Sequence, residues 1–226
     1  MIPWQFLDST RVAGNEEELR LYRRGKEFSI RINGCELMNN RAHGSEDALA
    51  ELACATIADH PCPRVLIGGL GMGYTTSAAL RQLGAESQVV VAELLPAVVM
   101  WNRGPLAELA GYPLQDHRVT VREVDVARIL QEERRAYDAI LLDVDNGPEA
   151  LTRKDNMWLY TRAGLKAAFA ALRPASVLAI WSASAGPEPV FTKRLRQVGF
   201  RVNAVHVRAR GHVGAWHTIW LAMRER

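Results

Sequence analysis

The chain has 226 residues, 48% of them hydrophobic and 23% charged, with a formal net charge of +3 at pH 7. This length can bury one full α/β domain with a small appendage. No compact basic block stands apart from acidic residues, which argues against a nucleic-acid partner. No apolar run approaches the roughly 20 residues that span a bilayer, which argues against a membrane protein.

The cysteines of the chain are Cys35, Cys54 and Cys62, an odd number with no CxxC pair. This pattern argues against a disulfide framework and a structural zinc site, and it suits a reducing compartment. The first ten residues lack the apolar segment of a secretory signal. We therefore expect a soluble, cytoplasmic protein without a metal site.

Residues 1–44 predict a small antiparallel β-appendage. Apolar and polar residues alternate at 19–22 and 28–32, as in half-buried strands. Asn33-Gly34 is a strong hairpin signal, and residues 35–38 can form the returning strand. A helix then begins, with Ser45 as its N-cap and Glu46 and Asp47 in its first turn. We expect residues 45–226 to form a second, nucleotide-binding domain.

Strands and helices alternate from Arg64 onward. Predicted strands lie at 64–69, 88–93, 118–123, 137–143, 176–181, 200–207 and 216–223. Predicted helices lie at 73–83, 96–110, 126–134, 159–172 and 187–198. The continuous apolar character of strands such as 139–143 favours a doubly wound, mostly parallel sheet buried on both faces. The last two strands follow each other directly, so the final one is expected to be antiparallel.

The stretch 64–93 carries the motif around which the second domain is organised. An apolar strand meets a glycine cluster, a helix follows, and a second apolar strand ends on Glu93. The clustered glycines are Gly68, Gly69, Gly71 and Gly73. This order is typical of a nucleotide site, where glycines allow close backbone approach and the acid binds ribose hydroxyls.

Acidic residues stand at or just beyond the carboxyl ends of three neighbouring strands: Glu93, Asp125 and Asp143. Ligands of open α/β sheets bind at this edge, and three acids there fit an adenosine pocket next to a reacting carbon. Asp125 has an alternative interpretation as the N-cap of the helix 126–134.

Asp143 and Asp145 lie two residues apart, too close for both to stay ionised unless a cation or a cationic substrate sits between them. This favours an amine substrate over a metal, since no further ligands are evident nearby. The alternative for Asp145 is a turn in which its side chain binds its own backbone.

Several aromatic residues have two open interpretations. Trp101 is expected to pack in the core, whereas Trp181, at the ligand edge, could wall a substrate pocket. In the terminal hairpin, His212 and His217 could act as bases or contact a substrate, or could have a solvated or core role.

With these residues in view, the chain resembles the spermidine synthase family, which has the class I S-adenosylmethionine-dependent methyltransferase fold. The resemblance runs through ING at 32–34, the Ser45-Glu46 step, IGGLGMG at 67–73, and the acid-bearing strands to LRP at 172–174. It implies a seven-stranded Rossmann-like sheet with strand order 3-2-1-4-5-7-6. It also implies a homodimer built through the N-terminal appendage.

The resemblance further implies roles for the acids. Glu93 would hold the ribose hydroxyls, Asp125 with Val126 would face the adenine, and Asp143 would deprotonate and orient an attacking amine. Asp145 is a second catalytic candidate beside Asp143, and the four glycines are candidate cofactor-binding residues.

The chain departs from the family at the positions that bind the amine substrate there. The family motif GGGDGG has an acid where this chain has Gly71, and the second acid of its DSSDP motif is replaced by Asn146. A family glutamine corresponds to Leu37, and the Tyr-His pair before the glutamate is missing at 43–45. The nucleoside half of the site is kept, while the polyamine half is largely absent.

We therefore expect a transferase that moves a methyl or aminopropyl group from S-adenosylmethionine, or its decarboxylated form, to a small amine-bearing acceptor. Loss of the loop acid at Gly71 favours the intact cofactor, because a charge that would repel its carboxylate is gone. The alternatives are a non-catalytic nucleoside-binding homologue, a true polyamine aminopropyltransferase and a dinucleotide-dependent oxidoreductase.

Overall fold

Two β-sheets divide the chain in the computed structural model, which describes residues 2–11, 17–144, 157–211 and 213–225. The first sheet is antiparallel, with the order β1-β2-β3-β4. Its strands are β1 (Gln5–Arg11), β2 (Glu18–Arg24), β3 (Glu27–Ile32) and β4 (Cys35–Asn39). The predicted appendage is confirmed, and β1 adds an outer strand that was not predicted from the sequence.

The turn between β3 and β4 has the predicted hairpin form. Asn33 and Gly34 both have positive φ, 50° and 81°, as a type I′ turn requires. The missed strand β1 is an edge strand with few buried positions, so it lacks the apolar alternation that marks the others. The inner strands bury Leu21 and Ile30 completely, in the same apolar cluster as Val65 and Ile67.

Helix α1 (Gly44–Ala55) follows the first sheet and corrects one prediction. The N-cap position belongs to His43, and no side chain caps the helix, so the assignment of Ser45 as N-cap is wrong. Ser45 already lies within the first turn and is fully buried, and its hydroxyl donates a hydrogen bond to Glu46 Oε2 at 2.6 Å. The hydroxyl is therefore directed to a side chain and not to the helix backbone.

The second sheet has seven strands in the order β10-β11-β9-β8-β5-β6-β7. They are β5 (Arg64–Gly68), β6 (Gln88–Ala92), β7 (Val119–Arg122), β8 (Tyr137–Leu142), β9 (Leu172–Ser182), β10 (Arg201–Arg210) and β11 (Val213–Arg224). Strand β11 is antiparallel to both β9 and β10, while β5 to β9 pair in parallel. This is the predicted 3-2-1-4-5-7-6 order.

Helices cover both faces of this sheet. They are α1 with α2 (Tyr74–Gln82), α3 (Pro96–Arg103), α4 (Val126–Glu132), α5 (Met157–Tyr160), α6 (Arg162–Ala171) and α7 (Pro189–Val198). The predicted helix 96–110 is too long, because Gly104-Pro105 interrupts it and only a 3₁₀ turn follows at 107–110. The predicted helix 159–172 is divided at Thr161, whose side chain accepts a hydrogen bond from Gly164 N.

The central strands place alternate residues in two separate apolar layers. Leu66 and Ile140 belong to the layer on one face, whereas Ile67 and Leu141 belong to the layer on the other. All four are completely buried. The expectation of a sheet covered on both faces is confirmed. None of the described helices is long and apolar enough to cross a membrane.

Candidate active site

A cleft of about 910 Å³, including space open to solvent, lies at the carboxyl ends of β5, β6, β7 and β8. We call it the first cleft. The strand ends contribute Gly69, Gly71, Glu93, Asp125, Val126 and Asp143. The N-terminal sheet contributes apolar side chains, namely Leu19, Ile30, Ile32, Leu37 and Met38. Five predicted cofactor residues and Asp143 therefore meet in one place, and the appendage forms part of its wall.

Glu93 is almost fully buried, at 9% exposure. Its Oε2 accepts a hydrogen bond from Leu70 N at 3.0 Å, and its Oε1 accepts one from Leu95 N at 2.8 Å. Each carboxylate oxygen has a second lone pair, so the group can also accept from hydroxyls in the cleft. These backbone bonds fix the carboxylate between the glycine loop and α3.

Gly69 has a φ of +90°, and a β-carbon there would lie only 2.3 Å from the carbonyl oxygen of Asp143. Only glycine combines this backbone conformation with such close approach. Gly71, with φ +52°, faces Met38, whose sulfur would lie 3.5 Å from an added β-carbon. The other predicted glycines do not line the cleft, since Gly68 ends β5 and Gly73 occupies the N-cap of α2.

Asn102 supports the glycine loop and was not identified as a functional residue from the sequence. Its Nδ2 donates to the carbonyl oxygens of Gly71 at 2.8 Å and Val98 at 2.9 Å. The side chain is 2% exposed. A buried amide that bridges α3 and the loop leaves no periodic signal in the sequence, which is why it escaped notice.

Asp125 combines the two interpretations that the sequence left open. Its Oδ1 accepts a hydrogen bond from Ala127 N at 2.8 Å, so it is the N-cap of α4. The residue also lines the first cleft, next to the buried Val126. Capping employs one carboxylate oxygen and leaves the other available to a ligand.

Asp143 follows β8 directly and lines the first cleft. Its Oδ2 accepts a hydrogen bond from the Thr75 hydroxyl at 2.5 Å. Burial raises the pKa of the Asp143 carboxyl to about 6, against the lowering effect of Thr75. The neighbouring prediction, Asp145, lies outside the described residues, as do Asn146 and His212.

A second cleft, of about 600 Å³ including open space, adjoins the first. The two clefts share Leu37, Met38, Gly71 and Asp143. The second is completed by Asn39, Glu46, Leu70, Met72, Tyr74, Thr75 and Trp181. Asp143 therefore stands where two ligands, one in each cleft, would meet.

Glu46 is a second functional candidate that the sequence did not reveal. It lies in the first turn of α1, where an acid is expected simply to complement the helix dipole. Burial raises its pKa to about 7, with the negative charge of Asp143 as the second cause. The signal that could have found it is the Ser45-Glu46 step, which the family resemblance already included.

A tyrosine reaches the second cleft from the helix after the glycine loop. The ring of Tyr74 stacks on His43 with centroids 4.0 Å apart and an interplanar angle of 10°. Burial, followed by the charges of Asp47 and Glu46, raises the pKa of Tyr74 to about 12. The phenol therefore stays protonated and can donate a hydrogen bond to a ligand.

The two tryptophans follow their predicted roles in different ways. Trp181 lines the second cleft, and His217 of β11 contacts it edge-to-face with centroids 4.8 Å apart. Trp101 is buried in the core, and its Nε1 also donates to Asp8 Oδ2 of β1 at 2.7 Å. That bond ties the N-terminal sheet to α3.

The electrostatic character of the site is acidic. Among the described residues, the two clefts together are lined by four carboxyl groups and by no lysine, arginine or histidine. The acids are Glu46, Glu93, Asp125 and Asp143. The described part of the chain also contains no group of three or more histidines, cysteines or acids placed to hold a metal ion. A positively charged organic ligand suits this lining best.

No family model and no curated protein matches the sequence. Solved structures do match it. The spermidine synthase from Thermotoga maritima superimposes with a TM-score of 0.77 at 16% identity, over 97% of this chain and 72% of the other. A spermidine synthase in complex with the transition state analogue AdoDATO gives a TM-score of 0.75, with the same identity and coverage.

A probable spermidine synthase from Corynebacterium glutamicum ATCC 13032 gives a TM-score of 0.64 at 16% identity, over 97% of this chain and 79% of that one. These three matches include the N-terminal sheet as well as the seven-stranded sheet, because they cover nearly all of the chain. In its architecture the chain is spermidine synthase-like.

Proposed function

We propose that this protein transfers an alkyl group from an S-adenosyl sulfonium to a small amine. The observation that carries the proposal is the position of Asp143, at the junction of a cleft suited to a nucleoside and a second cleft lined by Glu46. Alkyl transfer needs the two reactants aligned in van der Waals contact, with water excluded. Two joined clefts with a carboxylate between them meet that need.

The first cleft would hold the adenosyl group. Glu93 would accept hydrogen bonds from the ribose hydroxyls, since both its oxygens are already fixed by backbone N–H groups. The oxygen of Asp125 not used for capping would face the adenine amino group. Val126 and the apolar side chains of the N-terminal sheet would enclose the ring. This is the arrangement expected from the spermidine synthase resemblance.

The second cleft would hold the amine. When bound, the sulfonium supplies an activated carbon, where the amine forms a C–N bond while the C–S electron pair stays on sulfur. A protonated amine has no lone pair for this step, so a base must accept its proton. Asp143 would accept it, and Glu46 would hold the amine in place by charge and hydrogen bonding.

The charge of the lining favours decarboxylated S-adenosylmethionine as the donor, and therefore aminopropyl transfer. The intact donor carries a carboxylate, and no cationic side chain among the described lining residues would balance it. A spermidine synthase of the same fold is known in complex with the transition state analogue AdoDATO, which is in line with this choice.

Methyl transfer from intact S-adenosylmethionine is the second candidate, and one observation favours it. Gly71 leaves its position in the loop without an acid, and the group facing it is the neutral sulfur of Met38. The carboxylate of the intact donor would therefore not be repelled there.

Calorimetric titration with S-adenosylmethionine, its decarboxylated form, methylthioadenosine and S-adenosylhomocysteine tests the proposal. Tighter binding of the decarboxylated donor and of methylthioadenosine would support aminopropyl transfer, and the reverse preference would support methyl transfer. Binding of NAD with none of these four would refute the proposal in favour of an oxidoreductase.

Asp143→Asn separates an enzyme from a nucleoside-binding homologue. With a panel of primary amines as acceptors, we expect this variant to bind the donor as the wild type does and to lose at least 100-fold in turnover, the scale of a lost general base. If the wild type binds the donor but releases no thioether with any amine, the protein is a nucleoside-binding homologue and not an enzyme.

A further inference from the structure

His217 occupies an unusual position beside the second cleft. It lies on β11 opposite Val207 of β10, and its ring contacts Trp181 of β9. The residue is half-buried, so it keeps some contact with solvent. His217 does not itself line the cleft, so the proposed reaction assigns it no role.

Two short hydrogen bonds connect this histidine to the cleft. His217 Nδ1 lies 2.8 Å from Ser45 Oγ, and Ser45 Oγ lies 2.6 Å from Glu46 Oε2. Ser45 is completely buried, and Glu46 lines the second cleft beside Asp143. An unbroken chain of three side chains therefore runs from the acidic cleft to a half-exposed imidazole.

Local structure explains why the serine can take part in this hydrogen-bonded path. Ser45 is the second residue of α1 and has no capping bond to the helix backbone. Its hydroxyl is therefore free to donate to Glu46 while it accepts from His217. A hydroxyl with one donor and two acceptor sites can also reverse both bonds, which is what a proton relay requires.

The proposed reaction creates a need for such a relay. The amine arrives as an ammonium ion, and the product leaves as an ammonium ion with one more carbon substituent. The sulfonium meanwhile becomes a neutral thioether, so one positive charge is lost and one proton must leave the site in each turnover. Asp143 would accept this proton from the amine. Glu46, the other carboxyl of the second cleft, has the higher pKa and would take the proton over, so it must be deprotonated before the next cycle.

We propose that Ser45 and His217 carry this proton from Glu46 to solvent. This inference rests on the proposed alkyl transfer to an amine. When Glu46 is protonated, both bonds are reversed: the neutral imidazole carries its proton on Nε2, and Nδ1 accepts from the serine hydroxyl. Glu46 then donates its proton to Ser45 Oγ while the serine hydroxyl passes its own proton to His217 Nδ1. His217 now carries protons on both ring nitrogens and releases the one on Nε2 to water. Exchange of the remaining ring proton with water returns the imidazole to the Nε2 tautomer before the next turnover. No oxidant, reductant or further reactant is required.

The surroundings of His217 suit this role. Burial lowers its pKa, so the imidazole is neutral at physiological pH and ready to accept a proton. The groups that contact it from α1 and β9 are Ser45 and Trp181, neither of which carries a charge. Among the described residues that line the second cleft, the titratable groups are Glu46, reached through Ser45, and beyond it Asp143 and Tyr74.

One test needs no turnover. Nitrogen-15 NMR of the free protein should show the His217 Nδ1 signal changing near pH 7, as Glu46 takes up a proton and Ser45 reverses its bonds. Glu46→Gln and Ser45→Ala should each remove that transition. His206, exposed on β10, serves as the internal control, and its signals should be the same in all three proteins. A His217 signal unchanged by Glu46→Gln would overturn the path.

The second test measures thioether release from decarboxylated S-adenosylmethionine or S-adenosylmethionine with the primary amine panel. We expect His217→Gln and His217→Ala to lose at least tenfold in kcat with KM nearly unchanged, and added imidazole to restore His217→Ala. His206→Ala should keep full activity.

The two failures are distinguishable. Full activity in His217→Ala, or a loss of activity that added imidazole does not restore, would overturn the relay while leaving the transferase proposal intact. If the wild type itself shows no turnover, the transferase proposal fails, and the NMR titration alone decides whether Ser45 conducts a proton between Glu46 and His217.

Discussion

Glu46 of α1 and Asp143 after β8 line the same cleft, and the charge of Asp143 is, after burial, the main cause that raises the pKa of Glu46 to about 7. They are 97 positions apart along the chain, and the α/β fold brings them together. Without a bound cation, two carboxylates so placed oppose each other's ionisation.

This relationship predicts how stability depends on pH. Both carboxyls have folded pKa values above the ordinary ones, about 7 for Glu46 and about 6 for Asp143. Below about pH 4 both groups are protonated in the folded protein, and at higher pH their ionisation costs more in the folded state than in the unfolded state. The free energy of unfolding is therefore expected to fall as the pH rises through 6 and 7. We expect Glu46→Gln to reduce this loss of unfolding free energy by on the order of 2 kcal/mol.

Urea unfolding between pH 4.5 and 8 measures the effect. Glu51→Gln is the matched control, since Glu51 is exposed on the same helix. If the two variants show the same pH dependence as the wild type, the buried carboxyl pair does not exist in solution.

Gly69 is expected to tolerate no side chain. In Gly69→Ala the β-carbon would lie 2.3 Å from the Asp143 carbonyl oxygen, at a φ of +90°. We expect a loss of roughly 2–4 kcal/mol in unfolding free energy, with nucleoside binding abolished because the loop must move. Gly84→Ala, which has no atom within 4 Å of its added carbon, should change neither quantity. Thermal unfolding with and without methylthioadenosine checks both.

Gly71 is expected to select between the two donors. The φ of +52° is accessible to Asp and Asn, and an added β-carbon would make only an ordinary contact with Met38. We expect Gly71→Asp to shift the ratio of the two affinities by about tenfold, or 1.4 kcal/mol, in favour of the decarboxylated donor. Gly71→Asn should leave this ratio unchanged. Equal behaviour of the two variants in calorimetry would show that this position does not face the donor's carboxylate.

The bond between Trp101 and Asp8 is expected to couple the two sheets energetically. The indole N–H donates to a carboxylate at 2.7 Å, a charge-assisted bond between α3 and β1. A double-mutant cycle of Trp101→Phe and Asp8→Ala should give a coupling energy of about 1–2 kcal/mol in unfolding free energy. Additive effects of the two changes would mean that the bond contributes nothing.

The sequence predicted the elements that carry strong patterns. Continuous apolar strands identified β5 to β9, and the Asn33-Gly34 turn identified the N-terminal hairpin. The glycine loop and the acids at the strand ends were placed correctly at one edge, because parallel strands end together there.

What the sequence did not reveal depends on contacts between distant segments. The role of Glu46 arises only because α1 packs beside the end of β8, and that of Asn102 only because α3 meets the glycine loop. The error at Ser45 has a similar origin. Serine before an acidic first turn is typical of an N-cap, but a partner from β11, 172 positions away, holds its hydroxyl instead.

The reversed direction of β11 has a practical consequence. The strand runs from Thr218, which pairs with Ser182 at the carboxyl end of β9, back to Arg224, which pairs with Ser176. Glu225, the next residue, therefore lies on the side of the sheet away from Glu93 and Asp143. A surface linker joined to the side chain at position 225 would leave both clefts facing the solution, which suits the screening of amines on a surface.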